Sequence, residues 1–444
     1  MPQHNHSAKI RGMGQSEVPG WIIPLTYSVI AILLAWAVPR IEAGVFPEWT
    51  SPMTVSAAMA IYSAVATGMI ALTGIVFSLV FVMVQFSATA YSPRLVLWMA
   101  RDPLLFHAMG VFSATSLYAI GALAWVDRRH DQKVPFISVW LTVALLMASV
   151  VVFMALVQRL SRLQVDRALG FTADFGRRVI ELIYPPLETS PAAAPASEFR
   201  LLPVTQSLTY NGSPRPIQSL DIDALLALAE KSDAVIEVLA AVGDTLVDST
   251  PTLRIYGARQ TIPERDLQKA IKTGMERTFE QDPKYSIRLL VDIAVRALSA
   301  AVNDPTTAVQ ALDQIEDLLS RLGRRRLEIG EIRNSAGMLR LVFPVPTWED
   351  FLDLAFSEIR ACGKDSMQVV RRMNALLADL TERLPAERHA ALGSQRKRLA
   401  EAIAASFPNS EDQLEASAED REGLGATRKH SAKGSPELQS ATRI

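Results

Sequence analysis

Cysteine is almost absent from this chain. Cys362 stands alone, so neither an internal disulfide nor a multi-cysteine metal site can form, and such usage fits a reducing compartment. Histidine is also scarce, at six residues, two of which, His4 and His6, fall in a polar leader. Neither charge sign is in surplus: 45 Lys+Arg against 46 Asp+Glu give a net charge of −1. General nucleic-acid binding needs a basic excess and is not expected. No P-loop, Gly-rich dinucleotide turn, Ser/His/Asp order or His/Cys ligand spacing occurs. An enzymatic role is therefore the weakest expectation, and neither a cofactor nor a metal is expected.

The most informative absence is regional. Four stretches before residue 160, at about 21–38, 55–84, 104–126 and 135–157, contain no Asp, Glu, Lys or Arg. Burying charge in lipid is costly, and each stretch can cross a hydrocarbon layer of roughly 30 Å at about 1.5 Å per residue. Trp21, Trp36, Trp98, Trp125 and Trp140 fall at span ends, where amphipathic rings prefer to lie. Four transmembrane helices in a domain over 21–160 are the expectation. The polar leader, 1–20, shows no small-residue cleavage site after the first apolar run, which reads as a retained helix. His107 is the one ionisable residue inside a span, and the spans offer no carboxylate for a proton relay.

Basic residues set the orientation. Lys9 and Arg11 precede the first span, and Arg159, Arg162, Arg167, Arg177 and Arg178 follow the fourth. Both termini are then expected in the cytoplasm, although the loop 127–133 places three basic residues on the other side.

The second span carries a pattern of its own. Ser51-Pro52 reads as an N-cap with proline at N1, and no breaker follows until Ser92-Pro93. A helix of that length reaches roughly 60 Å at about 1.5 Å per residue, enough to project from the bilayer. Along it Ala60, Ala64, Thr67, Ala71, Gly74, Ser78 and Gln85 share one face. Small side chains let helix backbones approach closely in lipid. The face reads as a packing seam, within or between protomers, or as a permeation lining in an oligomer.

Beyond the spans the chain changes character. A connecting amphipathic helix at 161–185 offers Leu160, Leu163, Leu169, Phe175 and Ile180 for burial, and a Pro/Ala-rich linker follows at 186–199. Short β runs at 200–257 break at the turn pair Gly243-Asp244. The spacing Gly243-Asp244-x-Leu246 resembles the turn of barrel-sandwich modules such as biotinyl-carrier domains. Their Met-Lys turn has no counterpart in this chain, so a compact β-module without a prosthetic group is expected. Residues 258–407 read as mainly helical, with a break at Asp282-Pro283, an N-cap and N1 proline at Asp304-Pro305, and a strand in "RLVFPVP" ahead of a helix with its N-cap at Thr347. Asp292, Arg296, Asn303, Asp304 and Asp313 crowd this region and form a candidate polar junction: a ligand site, or caps and ion pairs between packed helices. The last segment, 408–444, is polar and expected to be disordered.

Several words together resemble a bacterial family of membrane proteins known as domain of unknown function 2254. They are "FSATAYSPRL", "ALGFTADFG", "SLDIDALLALA", "GDTLVDSTPTLRIYG", "ERTFEQDPKYSIRLLVDIAVRALSAAVNDPTTAVQALD" and "FPVPTWEDFLDLAFSEIR". Tyr285-Ser286 and Ser299-Ala300 depart from the Phe-Gly and Ser-Pro more usual in that family. The resemblance implies a multi-pass protein of a bacterial inner membrane and carries no activity with it. The fold class expected is membrane α-helical, four helices, joined to an α+β cytoplasmic domain with a small β-module and a helical C-terminal part. Two functions fit: an oligomeric channel or transporter with a cytoplasmic regulatory domain, or a membrane-anchored sensor or scaffold that binds a ligand or partner. The lipid bilayer and further copies of the chain are the expected partners; an ion or small-molecule ligand is left unidentified.

Overall fold

A computed structural model describes residues 19–46, 48–49, 51–90, 103–128, 134–161, 165–187 and 198–425. It divides into two compact units, one within Ala8–Phe171 and one from Thr172 onward.

The first unit holds four helices long and apolar enough to cross a membrane: α1 (Ile22–Val45), α2 (Val55–Ala90), α3 (Pro103–Arg128) and α4 (Phe136–Ser161). α3 packs against each of the other three. Half of its most apolar stretch is buried, against 17–22% for the others, which makes it the hub. Glycine allows its closest approaches to α1: a Cβ at Gly121 would stand 2.5 Å from the Ala35 Cβ, and one at Gly110 would strike the Tyr27 ring. Polar contacts are few and local. The Thr115 and Ser149 hydroxyls bond across α3 and α4 at 2.9 Å, and Tyr27 meets His107 across α1 and α3 at 3.2 Å. Large apolar side chains such as Leu33, Phe77 and Val151 point outward, the arrangement that a hydrocarbon solvent favours. Trp21, Trp36 and Trp140 are exposed near helix ends, whereas Trp98 lies outside the described residues.

The first span is longer than its charge-free core. The helix continues through Pro39 to Val45 and takes in Arg40 and Glu42. Arg40 stacks over the Trp36 and Trp125 rings and donates to the Trp36 carbonyl, so its cation is absorbed near the helix end. Glu42 turns inward and is buried. The expectation that the spans hold no carboxylate is therefore corrected: a helical hydrogen-bond ladder does not stop where hydropathy falls.

The second unit begins in the amphipathic helix α5 (Val165–Ile183), whose Ala173, Val179 and Ile180 are buried. Its sheets are built from β1 (Val204–Tyr210), β2 (Arg215–Leu220), β3 (Val235–Val238), β4 (Thr245–Leu246), β5 (Thr250–Tyr256), β6 (Ile271–Thr273), β7 (Glu331–Arg333) and β8 (Leu339–Val342). A five-stranded sheet runs β1-β5-β3-β8-β7 and a three-stranded one β4-β2-β6. Helix α6 (Ile222–Lys231) and the short α7 (Glu264–Lys269) complete the module, around a core of Leu225, Ile236, Leu253, Ile255, Leu267 and Leu341. The β-module does not close at residue 257. β8 joins β3 in parallel, Ile236 opposite Leu341, after more than eighty intervening residues. Residues 270–281, read as a continuing helix, instead give β6 and an irregular segment.

The C-terminal part is a stack of α8 (Pro283–Ala297), α9 (Pro305–Gly323), α10 (Trp348–Gly363), α11 (Met367–Arg383) and α12 (His389–Ser406). Apolar positions at helical spacing, such as Leu312, Ile315 and Leu319, are fully buried, each worth roughly 1.5–3 kcal/mol relative to exposure. Thr347 and Asp350 form a complete capping box on α10. The C-terminal segment is ordered further than its composition suggests. α13 (Ser410–Ala416) forms, and Asp420 then accepts N–H bonds from Glu422, Gly423 and Gly425. Gln368 and Arg371 of α11 donate to the Gly423 and Gly425 carbonyls. Polar composition misled because these residues are satisfied by an existing surface; residues 426–444 lie outside the described part.

Candidate functional site

The five residues of the expected junction occupy three different places. Asn303 and Asp304 form the turn between α8 and α9. The Asn303 N–H reaches the Ser299 carbonyl at 2.8 Å and the Asp304 N–H reaches the Ala297 carbonyl at 2.8 Å. Asn303 takes a left-handed backbone, φ +49°, which asparagine tolerates better than most residues. Asp304 accepts from the Thr307 N–H at 3.1 Å and from the Thr307 hydroxyl at 2.6 Å, with Pro305 at the first helical position. Both carboxylate oxygens are engaged, as a helix cap requires.

Asp292 belongs to a clamp between α8 and α10. Arg288 bonds Asp292 and forks onto both oxygens of Glu358, at 2.6 and 2.7 Å. The two carboxylates hold the guanidinium pKa above its ordinary value against burial, and the Arg288 bond holds Glu358 below its own. Arg296 stands in the last turn of α8, its carbonyl accepting the Ser299 hydroxyl. Asp313 belongs to a second clamp, between α9 and α11. Arg372, itself buried, donates to Asp313 at 2.7 Å and to buried Glu316 at 2.6 Å, and Arg383 reaches the other Glu316 oxygen at 3.0 Å. Burial opposes the Arg372 cation, but Glu316 and Asp313 outweigh it and raise its pKa. Forked Arg–carboxylate pairs fix the angle between helices. The geometry here serves packing, and it leaves no common cleft among the five.

A third polar knot lies at the β-turn. Gly243 has φ +91°, and a Cβ there would stand 2.1 Å from Arg277 and 2.5 Å from Asp282. Asp282 is buried beside Arg277, the Arg277 Nε donating to it at 2.9 Å. Burial pushes the Asp282 carboxyl up, with Arg277 pulling the other way.

The face of α2 has a sharper outcome. Ala60, Ala64, Thr67, Ala71, Gly74, Ser78 and Gln85 are all exposed, while Ala58, Tyr62, Val65, Ala66, Met69 and Val76 on the opposite side are buried. A Cβ at Gly74 would meet nothing within 4 Å. Among the described residues the small side chains of this seam are therefore not packed inside the protomer.

Glu42 was missed by sequence reasoning. It accepts the Ile137 N–H at 2.9 Å and the Ser138 N–H at 3.4 Å, so the end of α1 closes the open start of α4. A signal was available: Ala31, Ala35, Pro39 and Glu42, the buried positions of α1, recur at helical spacing.

Comparison with known proteins places residues 19–379 within a family whose description reads Predicted membrane protein (DUF2254). Uncharacterized proteins of Mycobacterium bovis and of two strains of Mycobacterium tuberculosis are each 28% identical over 335 residues. These matches cover 72% of this chain and 62% of the mycobacterial proteins, so the chain spans less than two thirds of their length. No solved structure matches.

Proposed function

The chain belongs to the DUF2254 family of membrane proteins, and from that premise we propose that it is one subunit of a non-enzymatic, homo-oligomeric channel- or transporter-like protein whose cytoplasmic unit regulates it. The observation that carries this reading is the exposed seam on α2. Elsewhere the outward side chains are large and apolar, as on α1 and α4, and suit contact with lipid. The seam instead offers Ala, Gly, Ser and Thr along several turns, the surface through which helices associate when no hydrophobic force drives them together. The centre of the single protomer is filled by side chains such as Tyr62, Phe112, Tyr118 and Val76, so a conduit has to be assembled from several copies. The basic residues flanking the first and fourth spans support an inner-membrane orientation with cytoplasmic termini.

A second reading, an anchored sensor, draws on one feature of the cytoplasmic unit. An open groove of about 410 Å³ is lined by Asp221, Leu228, Lys231, Asp266 and Lys269. Two measurements on full-length protein separate the readings. Mass in mild detergent is expected to exceed one subunit and to fall in a Gly74→Leu variant, whose extra bulk meets only open space in the protomer. Ion or small-solute flux is expected in liposomes. A monomer without flux under any gradient leaves the sensor reading in possession.

A further inference from the structure

We propose that Glu42, Tyr62, Tyr118 and Ser138 form a buried site for one alkali-metal ion at the end of the membrane unit where α1 finishes and α4 begins. Each of the four spans contributes one of these residues. Their exposures are 2%, 0%, 0% and 1% respectively. Tyr62 and Tyr118 share one core cluster with Ala35, Ala58 and Val139, and Glu42 is within electrostatic reach of both. The Tyr118 hydroxyl faces that of Ser138, without closing a hydrogen bond of normal geometry.

Helix capping explains part of this arrangement. Glu42 accepts two N–H groups at the start of α4, and the positive end of a helix dipole tempers a carboxylate. Capping does not explain the hydroxyls. Among the described residues the buried oxygens of Tyr62, Tyr118 and Ser138 have no hydrogen-bond partner, and such groups in native proteins call for an ion or a water. Nor does capping neutralise the charge: among the described residues no cation pairs with Glu42.

Among the described residues the charged groups on neighbouring elements are turned elsewhere. Arg40 is stacked on Trp36 and Trp125, and Asp127 and Arg128 at the end of α3 are exposed. Arg129, His130, Asp131 and Lys133 lie outside the described residues. A lone carboxylate among apolar side chains calls for a counter-ion, because a bare charge there is strongly disfavoured. The donor set is oxygen only, which suits hard cations. Its single negative charge is balanced by one positive charge, whereas a divalent ion would leave an excess in an apolar setting. This inference stands independently of the α2 seam.

The test uses the full-length protein in detergent. Its thermal midpoint is followed while sodium or potassium chloride replaces choline chloride at constant ionic strength and pH. The wild type is expected to gain stability saturably with sodium or potassium. Glu42→Gln is expected to abolish that dependence. Tyr62→Phe, which removes one oxygen and keeps the packing, is expected to shift the half-saturation point by roughly tenfold. A wild type indifferent to sodium and potassium, or a full response surviving in both variants, overturns the proposal and leaves a cap solvated by water only.

Discussion

The two units of this chain solve the same polar problem in opposite ways. In the membrane unit many large side chains face outward, and α3 approaches α1 over Gly110, which makes room for the Tyr27 ring, and Gly121, which meets Ala35. In the second unit Leu312, Leu319, Phe351 and Phe356 fill the interior, and the clamps Arg288–Glu358 and Arg372–Glu316 fix the helices from the side. The difference lies in the solvent. Water rewards burial of apolar area, whereas lipid does not distinguish a buried leucine from an exposed one. Polar groups then matter in reverse proportion: the second unit carries many ion pairs, while Glu42 is the one buried carboxylate among the described residues of the membrane unit.

The largest effect expected from breaking this contrast is at Arg372. Replacing it by Met leaves Glu316, 7% exposed, with only the half-exposed Arg383 to pair it. A loss of about 3–5 kcal/mol is expected, read as an early thermal transition of the second unit and faster proteolysis there. A loss no larger than that of a surface change would show that the clamp is dispensable. Next come matched truncations. Leu312→Ala, at a fully buried site, is expected to cost about 2–5 kcal/mol. Phe77→Ala, on the 60% exposed outer face of α2, is expected to change protomer stability by no more than about 0.5 kcal/mol in detergent or lipid. Equal losses at the two sites would remove the lipid-facing assignment of Phe77.

The smallest effect sharpens the picture of the second unit. The Arg288 bond lowers the Glu358 pKa below its ordinary 4.5. The pair therefore stabilises the folded state above about that pH and is lost as pH falls through the lowered folded value. Glu358 is half-exposed and solvent-screened, so the midpoint should slip only slightly on acidification. Arg288→Met should remove that slope, and an unchanged slope would locate the acid sensitivity in another carboxylate.

Local rules carried the reading of sequence as far as local physics extends. Asp304-Pro305 and Thr347 are cap words whose bonds close within three residues, and both structures form as written. The four spans follow from runs of apolar side chains. The common face of Ala60, Ala64, Thr67, Ala71, Gly74, Ser78 and Gln85 follows from helical periodicity alone. What escaped was partnership across distance. No local pattern joins Glu42 to Ile137, Asp313 to Arg372, or Ile236 to Leu341. The five polar residues that looked like one junction are neighbours in sequence around a turn, and their side chains leave in different directions to different helices.

Sequence alone thus determined which segments meet lipid, where helices begin, and which face of α2 is lined by small residues, because periodicity and capping are properties of a few adjacent turns. Only the tertiary structure decided that this face is left uncovered among the described residues, that a distant strand completes the β-sheet, and that Glu42 of α1 caps the start of α4. Such outcomes depend on which surfaces the folded chain brings together and from which it excludes water.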